Sequence, residues 1–365
     1  MIPLIQKYII TRTLRGILIA FLIVTGVIVL VDFVESTRNI GQDFGLNNFQ
    51  VMQLTLLKVP SLIEQTIPFV VLFGVMATFF GLNKRSELIV LRASGLSVWN
   101  FLSPALSVTF LLGVIWATCF NPISSKSYSL YQSKLTQYDV KNAQTQSDIW
   151  LREVSEGSQT LIKARDCDSQ TRKLSGVFIS QSDILPDGNI RFNTRFDAES
   201  ADIISTGYLQ LYNVIENSDN IAADIIKHDT LSIPTNIRLE DIQSQAGANF
   251  NPPFWSIKDE INHTKRAGFS TTKLEMQWHK LLALPLSLIA MTFIAAAVSM
   301  TLVREGGTLR LLIVGTTIGF IVFFTNSVFN AFGESTTVSV LMAAWTIPIM
   351  TFFLGVYYLS TIEDG

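Results

Sequence analysis

The chain has 365 residues, 48% of them hydrophobic, and its 27 basic and 29 acidic side chains leave a formal net charge of −2. This length would suit two or three soluble domains, but the apolar residues are clustered in long runs, which excludes a purely soluble protein. The near-neutral charge also lacks the basic excess of nucleic-acid-binding proteins, so we expect no nucleic-acid partner.

Six apolar runs are long enough to cross the hydrocarbon core of a bilayer, which takes about 20 helical residues. They cover residues 16–31, 59–82, 101–120, 281–303, 311–332 and 338–359. No small-residue cleavage site follows the first run, so we expect it to remain as a membrane helix.

The short connections predict the orientation, because Lys and Arg are concentrated in the cytoplasmic loops of membrane proteins. One side carries Lys7, Arg12, Arg15, Lys84, Arg85, Arg92, Arg304 and Arg310, whereas the other carries only Arg38 and Lys58. Both termini are therefore predicted to be cytoplasmic, and the polar insert at roughly 121–280 is predicted to lie outside the cytoplasm.

Charged residues mark the outer ends of the first two runs. Asp32, Glu35 and Arg38 are three residues apart and are expected on one helix face. They either form a polar lip that meets a lipid headgroup or mark where the helix leaves the bilayer. Glu64 lies about one turn inside the outer surface, where an ionisable side chain is costly. A pair with a neighbouring helix and a ligand contact are both open for Glu64.

The loop after the second run, residues 83–97, predicts a helix of about two turns. Ser86 is a candidate N-cap, Glu87 lies in the first turn, Arg92 lies in the last turn, and Gly95 suits a left-handed C-cap. The four consecutive apolar residues 88–91 surround this helix instead of forming one stripe. Such a helix either enters a partner's groove or lies on lipid headgroups.

The insert changes from helical to strand periodicity. Short segments at 149–154, 160–164, 174–180, 190–196, 208–214 and 222–226 are separated by turn signals such as 186–189. In the fourth segment Ile190, Phe192 and Phe196 are predicted to share one face, opposite Arg191 and Arg195. Evenly spaced short strands predict a sandwich or jelly roll.

Helical periodicity returns after residues 252–253. Ser256 and Asp259 resemble a capping box, Gly268 is predicted to end that helix, and a second helix is predicted to begin near Thr271 and enter the membrane. Farther on, Asn326 and Asn330 are four residues apart and share one face near the outer end of the fifth run. They either line a cavity for an amphiphile or bond to another helix.

Several catalytic signatures are absent from the sequence. It has no phosphate-binding G-x-x-x-x-G-K-[ST] loop, no G-x-S-x-G elbow and no H-E-x-x-H motif. His228, His263 and His279 lack metal-ligand spacing, and Cys119 and Cys167 show no disulfide framework. We therefore expect a chain that is not itself an enzyme and holds no metal or cofactor.

Three membrane helices, a β-rich insert, a helical return and three further helices resemble the LptF/LptG family of lipopolysaccharide export permeases. The resemblance is carried by Lys7, Tyr8, Arg12, Pro60, Pro68, the loop 85–95, Asn121, Pro122, Ile149 and Trp150. It covers essentially the whole chain. Its most specific part is the loop, whose Arg85-Ser86-Glu87 sequence favours the LptG branch.

The resemblance implies a membrane α-helical bundle of six helices with an inserted all-β, jelly-roll-like periplasmic domain, in the bacterial inner membrane. The implied divisions are helices 1–3 at 1–122, with a coupling helix at about 84–96, the β domain at 123–252, a helical return at 253–280 and helices 4–6 at 281–365. The implied function is the membrane subunit of an ATP-binding cassette transporter that extracts lipopolysaccharide and passes it to a periplasmic bridge.

The implied partners are an LptF-like permease, a dimer of an LptB-like ATPase that uses ATP and Mg²⁺, an LptC-like bridge protein and lipopolysaccharide itself. Residues implied to contact the ATPase are Arg85, Glu87, Leu88, Leu91 and Arg92. Candidate substrate or gate residues are Asp32, Glu35, Arg38, Glu64, Asn326 and Asn330. Some family members have several lysines near the outer end of the first helix, where this chain has Asp32, Glu35 and Arg38.

Two other functional classes fit part of the pattern. An ion-coupled secondary transporter would need inverted repeats and ionisable ligands at the membrane midplane, but the third to the sixth runs contain no Asp, Glu, Lys or Arg. A sensor or scaffold with a periplasmic ligand-binding domain remains the alternative, because no residue forbids it.

Overall fold

The computed structural model describes residues 4–41, 45–142, 149–155, 158–168, 173–184, 190–204, 208–218, 226–235, 251–266, 270–299 and 308–364. Within these ranges six helices are long and apolar enough to cross a membrane, which confirms the six predicted runs. The predicted turn at 186–189, Gly268 and Arg304 lie outside the described residues.

Helices make up most of the described chain on both sides of the β-rich insert. They are α1 Leu4–Ser36, continued by a π-helical turn Thr37–Gly41, α2 Asn48–Lys84, α3 Glu87–Ala93, α4 Val98–Ile115, continued by a π-helical turn Trp116–Phe120, α5 Asn121–Asn142, α6 Ile257–Arg266, α7 Thr272–Ser299, α8 Thr308–Glu334 and α9 Val340–Asp364. The start of α7 at Thr272 agrees with the helix predicted to begin near Thr271 and continue into the membrane.

The chain forms two compact units. The membrane unit comprises Met1–Lys134, Pro253–Ile257 and Thr272–Gly365, and the β unit comprises Leu135–Pro252 and Lys258–Thr271. The β unit is inserted in the sequence between the third and fourth membrane helices. Residues Pro253–Ile257, which belong to the membrane unit, divide the β unit into two segments.

Helices α2 and α7 form the centre of the membrane unit. In the most apolar 18-residue stretch of each helix, 61% of α2 and 67% of α7 is buried, against 17% of α1 and 11% of α8. The core consists largely of side chains from α2, α4 and α7, with Phe79, Phe101 and Phe293 among the most buried. Helices α1 and α8 therefore leave long apolar faces that only lipid or another protein can cover.

Helices α1 and α2 cross at two glycines. A Cβ atom added at Gly74 would lie 2.5 Å from Ile17 Cα, and one added at Gly16 would lie 2.5 Å from the Gly74 carbonyl oxygen. The Thr78 hydroxyl donates to the Gly74 carbonyl at 2.8 Å, which satisfies this polar group at the crossing. Small residues let membrane helices approach closely, so this crossing fixes the otherwise exposed α1.

Replacing Gly74 with Val is expected to separate α1 from α2 and to destabilise the membrane unit by about 1–3 kcal/mol or more, because the new side chain meets backbone atoms. The thermal unfolding midpoint of the detergent-solubilised protein measures this effect. Gly81→Val is the matched control, because a Cβ at Gly81 on the same helix has no atom within 4 Å. Equal midpoints for the two variants would contradict the crossing geometry.

The β unit contains one antiparallel sheet of six strands in the order β1-β2-β3-β4-β5-β6. The strands are β1 Ile149–Ser155, β2 Ser158–Asp168, β3 Lys173–Ile184, β4 Ile190–Ile204, β5 Tyr208–Ser218 and β6 Ile226–Pro234. The predicted inserted β domain is thus confirmed. Each described strand pairs with the next in sequence, so their order is a meander without the Greek-key crossovers of a jelly roll.

The last predicted strand lies mostly outside the described residues. The predicted segment 222–226 overlaps β6 only at Ile226, and residues 222–225 lie outside the described part of the chain. Among the described strands β6 is an edge of the sheet with mostly exposed side chains, and Ile233 is its buried hydrophobic residue. The polar run Lys227–Thr230 therefore hides the alternating pattern by which strands are recognised.

The predicted shared face of Phe192 and Phe196 is wrong. Phe196 is buried in the apolar core of the β unit, whereas Phe192 is 41% exposed. The strand pairing shifts between Gln181 and Ser182, and Asn193 is the extra residue on β4. Such a β-bulge moves the residues beyond it to the opposite face, and the sequence carries no clear sign of it.

Candidate functional site

The loop helix α3 ends as predicted. Gly95 has φ +80°, and the Leu96 amide donates to the Leu91 carbonyl at 3.3 Å, the bond that closes a helix through a left-handed residue. Ser86 differs from a standard N-cap. Its carbonyl accepts from the Val90 amide at 3.1 Å, but its φ of +60° is left-handed where a standard N-cap is extended.

The apolar residues of α3 divide between the interior and the surface. Leu88 is 4% exposed and packs in the core of the membrane unit, so it anchors α3 to that core. Leu91 is half-buried, Val90 is 66% exposed, and Arg85 is exposed. Among the described side chains of α3, Val90 is therefore the apolar one that faces outward, which the sequence did not distinguish from its neighbours. The side chains of Ile89 and Arg92 lie outside the described part.

Glu87 connects α3 to the first helix. The Tyr8 hydroxyl donates to Glu87 Oε2 at 2.8 Å, and Arg12 Nε donates to the Tyr8 hydroxyl at 3.1 Å. The Arg12 guanidinium also lies 5.2 Å from the centre of the Tyr8 ring, within the range of a cation–π contact. The carboxylate is only half-buried, so it can bond to α1 and still face a partner.

The three charged residues at the other end of α1 do not form one surface. Asp32 is buried, and its Oδ1 lies 2.6 Å from Lys58 Nζ on α2. Glu35 and Arg38 are exposed, and Arg38 lies in the π-helical turn that follows α1. The predicted single polar face is wrong, because Asp32 faces α2 and the π turn changes the angular spacing of Arg38.

Asn121 holds two separate parts of the membrane unit together. Its Nδ2 donates to Glu64 Oε1 on α2 at 2.8 Å, and its Oδ1 accepts from the Phe254 amide at 2.8 Å. Asn121 is fully buried, so both bonds are shielded from water. The structural pair considered for Glu64 is therefore present, but it uses only one of the two carboxylate oxygens.

Glu64, Asn326 and Asn330 line one cavity of about 140 Å³ inside the membrane unit. The sequence placed Asn326 and Asn330 on one face of their helix, and the structure adds Glu64 from α2 to the same cavity. Among the described residues, Glu64 Oε2, Asn326 Oδ1 and Asn330 Oδ1 are buried without a hydrogen-bond partner. Three of the six predicted substrate or gate residues are thus brought together.

The β unit has a wider groove of about 650 Å³, lined by Lys163, Arg165 and Arg195 among others. Arg195 donates to both carboxylate oxygens of Asp197 at 2.8 and 3.0 Å, and its guanidinium lies 4.7 Å from the centre of the Phe178 ring. The hydrogen bond to Asp197 raises the pKa of Arg195. This side chain is therefore held in place by two neighbours, and the sequence analysis placed it on one face of a strand without assigning it a function.

The chain was compared with known proteins and protein families. The family model described as lipopolysaccharide export system permease LptF/LptG matches residues 7–361, almost the whole chain. A search of curated proteins found no match.

Proposed function

Because the chain belongs to the LptF/LptG family of lipopolysaccharide export system permeases, we propose that it is a membrane subunit of an ATP-binding cassette transporter. The transporter extracts lipopolysaccharide from the bacterial inner membrane. The observation that carries this proposal is α3, a capped surface helix that presents Glu87 and Val90 between two membrane helices. Such a helix suits a partner's groove.

Extraction of a lipid requires an external source of energy. Each CH₂ group moved from the bilayer to water costs about 0.8 kcal/mol, so an acyl chain of about a dozen such groups costs on the order of 10 kcal/mol. The sequence has no phosphate-binding loop, and we therefore assign ATP and Mg²⁺ to a dimer of a cytoplasmic LptB-like ATPase. In this proposal both termini of the chain are cytoplasmic and the β unit is periplasmic.

The ATPase contacts α3. Glu87, Arg85, Leu91 and Arg92 are the proposed contact residues, with Val90 added because of its exposure. Leu88, which was also predicted as a contact, is buried in the chain's own core and acts by supporting the helix. The other copy of the coupling helix belongs to an LptF-like permease, with this chain as the LptG-like partner.

Movement of α3 reaches α1 through the Glu87–Tyr8–Arg12 hydrogen bonds. Helices α1 and α8 are the least buried of the six, which suits walls that separate from a partner subunit to admit a lipid. Asp32, Glu35 and Arg38 lie at one end of this wall, and Glu35 and Arg38 are exposed to a phosphorylated headgroup. The exposed apolar faces of both helices suit acyl chains.

The β unit supplies a shielded path for the extracted lipid. One face of its sheet carries a continuous apolar core that includes Ile179, Leu211 and Val214. Among the described strands β1 and β6 are the two edges of the sheet, and an edge strand can pair with a strand added by an LptC-like bridge protein.

Depletion of the chain in the cell that encodes it tests the function. We expect lipopolysaccharide to fall at the cell surface and to accumulate in the inner membrane, because no energy-driven extraction remains. Surface lipopolysaccharide can be measured by labelling intact cells, with outer-membrane protein content as the control for general envelope damage. Normal lipopolysaccharide at the surface would instead favour a membrane sensor or scaffold with a periplasmic ligand-binding domain.

A further inference from the structure

The 140 Å³ cavity in the membrane unit lies among α2, α7, α8 and α9. Most of its wall is apolar and includes Met291, Val322 and Phe323. Glu64, Asn326 and Asn330 also line the cavity. Polar atoms such as theirs are costly to bury in an apolar site without hydrogen-bond partners. The cavity is smaller than the roughly 300–1,000 Å³ of sites for drug-sized ligands, so it does not hold a lipopolysaccharide.

The unpartnered atoms in this cavity are all acceptors. Glu64 Oε2, Asn326 Oδ1 and Asn330 Oδ1 have no hydrogen-bond partner among the described residues. Three acceptors around one space require a ligand that donates hydrogen bonds or carries positive charge.

Two prolines free further acceptors in residues that line the cavity. Pro68 of α2 and Pro348 of α9 have no N–H group, so neither can bond to the carbonyl four residues earlier in its helix. Those carbonyls belong to Glu64 and Ala344, and all four residues line the cavity. Backbone carbonyls released in this way are a recurrent source of cation ligands in membrane proteins.

Charge and ligand type define the occupant. When it is ionised, Glu64 supplies one negative charge, and Lys280, which also lines the cavity, is paired with Glu334 at 2.6 Å. No cluster of three or more His, Cys, Asp or Glu that could hold a metal occurs among the described residues, and oxygen ligands prefer hard cations. We propose that Glu64, Asn326 and Asn330 form a binding site for a monovalent alkali cation, which ties α2 to α8.

Sodium is the probe for this site. The full-length protein, purified in detergent with its associated subunits, is compared in NaCl, KCl and choline chloride at equal ionic strength. We expect a higher thermal unfolding midpoint in at least one alkali salt than in choline chloride, and saturable binding of radioactive Na⁺ that unlabelled alkali cations displace. These readouts do not depend on export, so they fail or succeed independently of the proposed function.

Three variants locate the cation. Asn326→Leu and Asn330→Leu each remove an acceptor at similar volume, and Glu64→Gln removes the charge, so we expect cation affinity to fall about tenfold or more in each. Ser327→Ala is the control and should behave as wild type, because its hydroxyl bonds to the Phe323 carbonyl of its own helix.

Two outcomes would overturn the proposal. One is a midpoint that is equal in all three salts together with no saturable Na⁺ binding by the wild type, including the case where the midpoint responds to pH alone. The other is unchanged cation affinity in Glu64→Gln and both asparagine variants. The salt dependence of the midpoint and the Na⁺ binding are both measured on the wild type, so together they decide the question even where a variant fails to fold.

Discussion

Replacing Glu87 with Ala is expected to leave folding and membrane insertion intact and to remove lipopolysaccharide export. The side chain is half-buried on a surface helix, and its hydrogen bond to Tyr8 is exposed, so its loss costs the fold only about 1 kcal/mol. Truncating one member of a charged pair that is buried at a protein interface costs more, about 2–5 kcal/mol of binding free energy. Export of labelled lipopolysaccharide from reconstituted vesicles measures the effect.

Two further variants separate the roles of this carboxylate. Tyr8→Phe keeps the Glu87 charge but removes the bond to α1, so the ATPase should stay bound while export falls. Asn100→Ala changes an exposed residue in the first turn of α4 and should export normally. Normal export by Glu87→Ala would contradict the coupling role of α3.

Replacing Lys58 with Met is expected to destabilise the membrane unit strongly. Asp32 is buried on α1, and the Lys58 ammonium lies 2.6 Å from its Oδ1, so the variant leaves a buried carboxylate without its counter-charge. Removing one partner of a buried pair costs about 3–5 kcal/mol. The expected loss is nearer the lower value, because 26% of the Lys58 side chain is exposed. Chemical unfolding in detergent measures the difference.

The double variant Lys58→Met with Asp32→Asn tests the cause. It removes both charges, so most of the lost stability should return, since a neutral pair carries little desolvation penalty. A double variant that is as unstable as Lys58→Met alone would show that lost packing, and not the buried charge, explains the single variant.

The membrane helices and the C-terminal cap of α3 could be predicted because their signals are local. A bilayer-spanning helix requires about 20 apolar residues in sequence, and a left-handed cap at Gly95 depends on one residue and its neighbours. The same holds for the strands of the insert, whose alternation appears within each segment. Residues 227–234 of β6 were not predicted as a strand, because their mostly exposed side chains lack that alternation.

Which helix faces which could not be read from the sequence. Hydropathy shows that Asp32 and Glu64 are costly in the membrane, but it does not show that Lys58 and Asn121 are their partners. Long-range packing decides this, as it also decides that Leu88 is buried while Val90 is exposed two residues away. The bulge at Asn193 is a comparable case, because one extra residue reverses the face of Phe192 without changing the composition of β4.

The most direct measurement is affinity purification of the tagged chain in mild detergent, with mass spectrometry of the associated proteins, for wild type and Glu87→Arg in parallel. The account predicts that a cytoplasmic ATPase and a second six-helix permease accompany the wild type and that the ATPase is lost from Glu87→Arg. Recovery of the chain alone or with a signalling protein, or an ATPase that remains bound to Glu87→Arg, would contradict it.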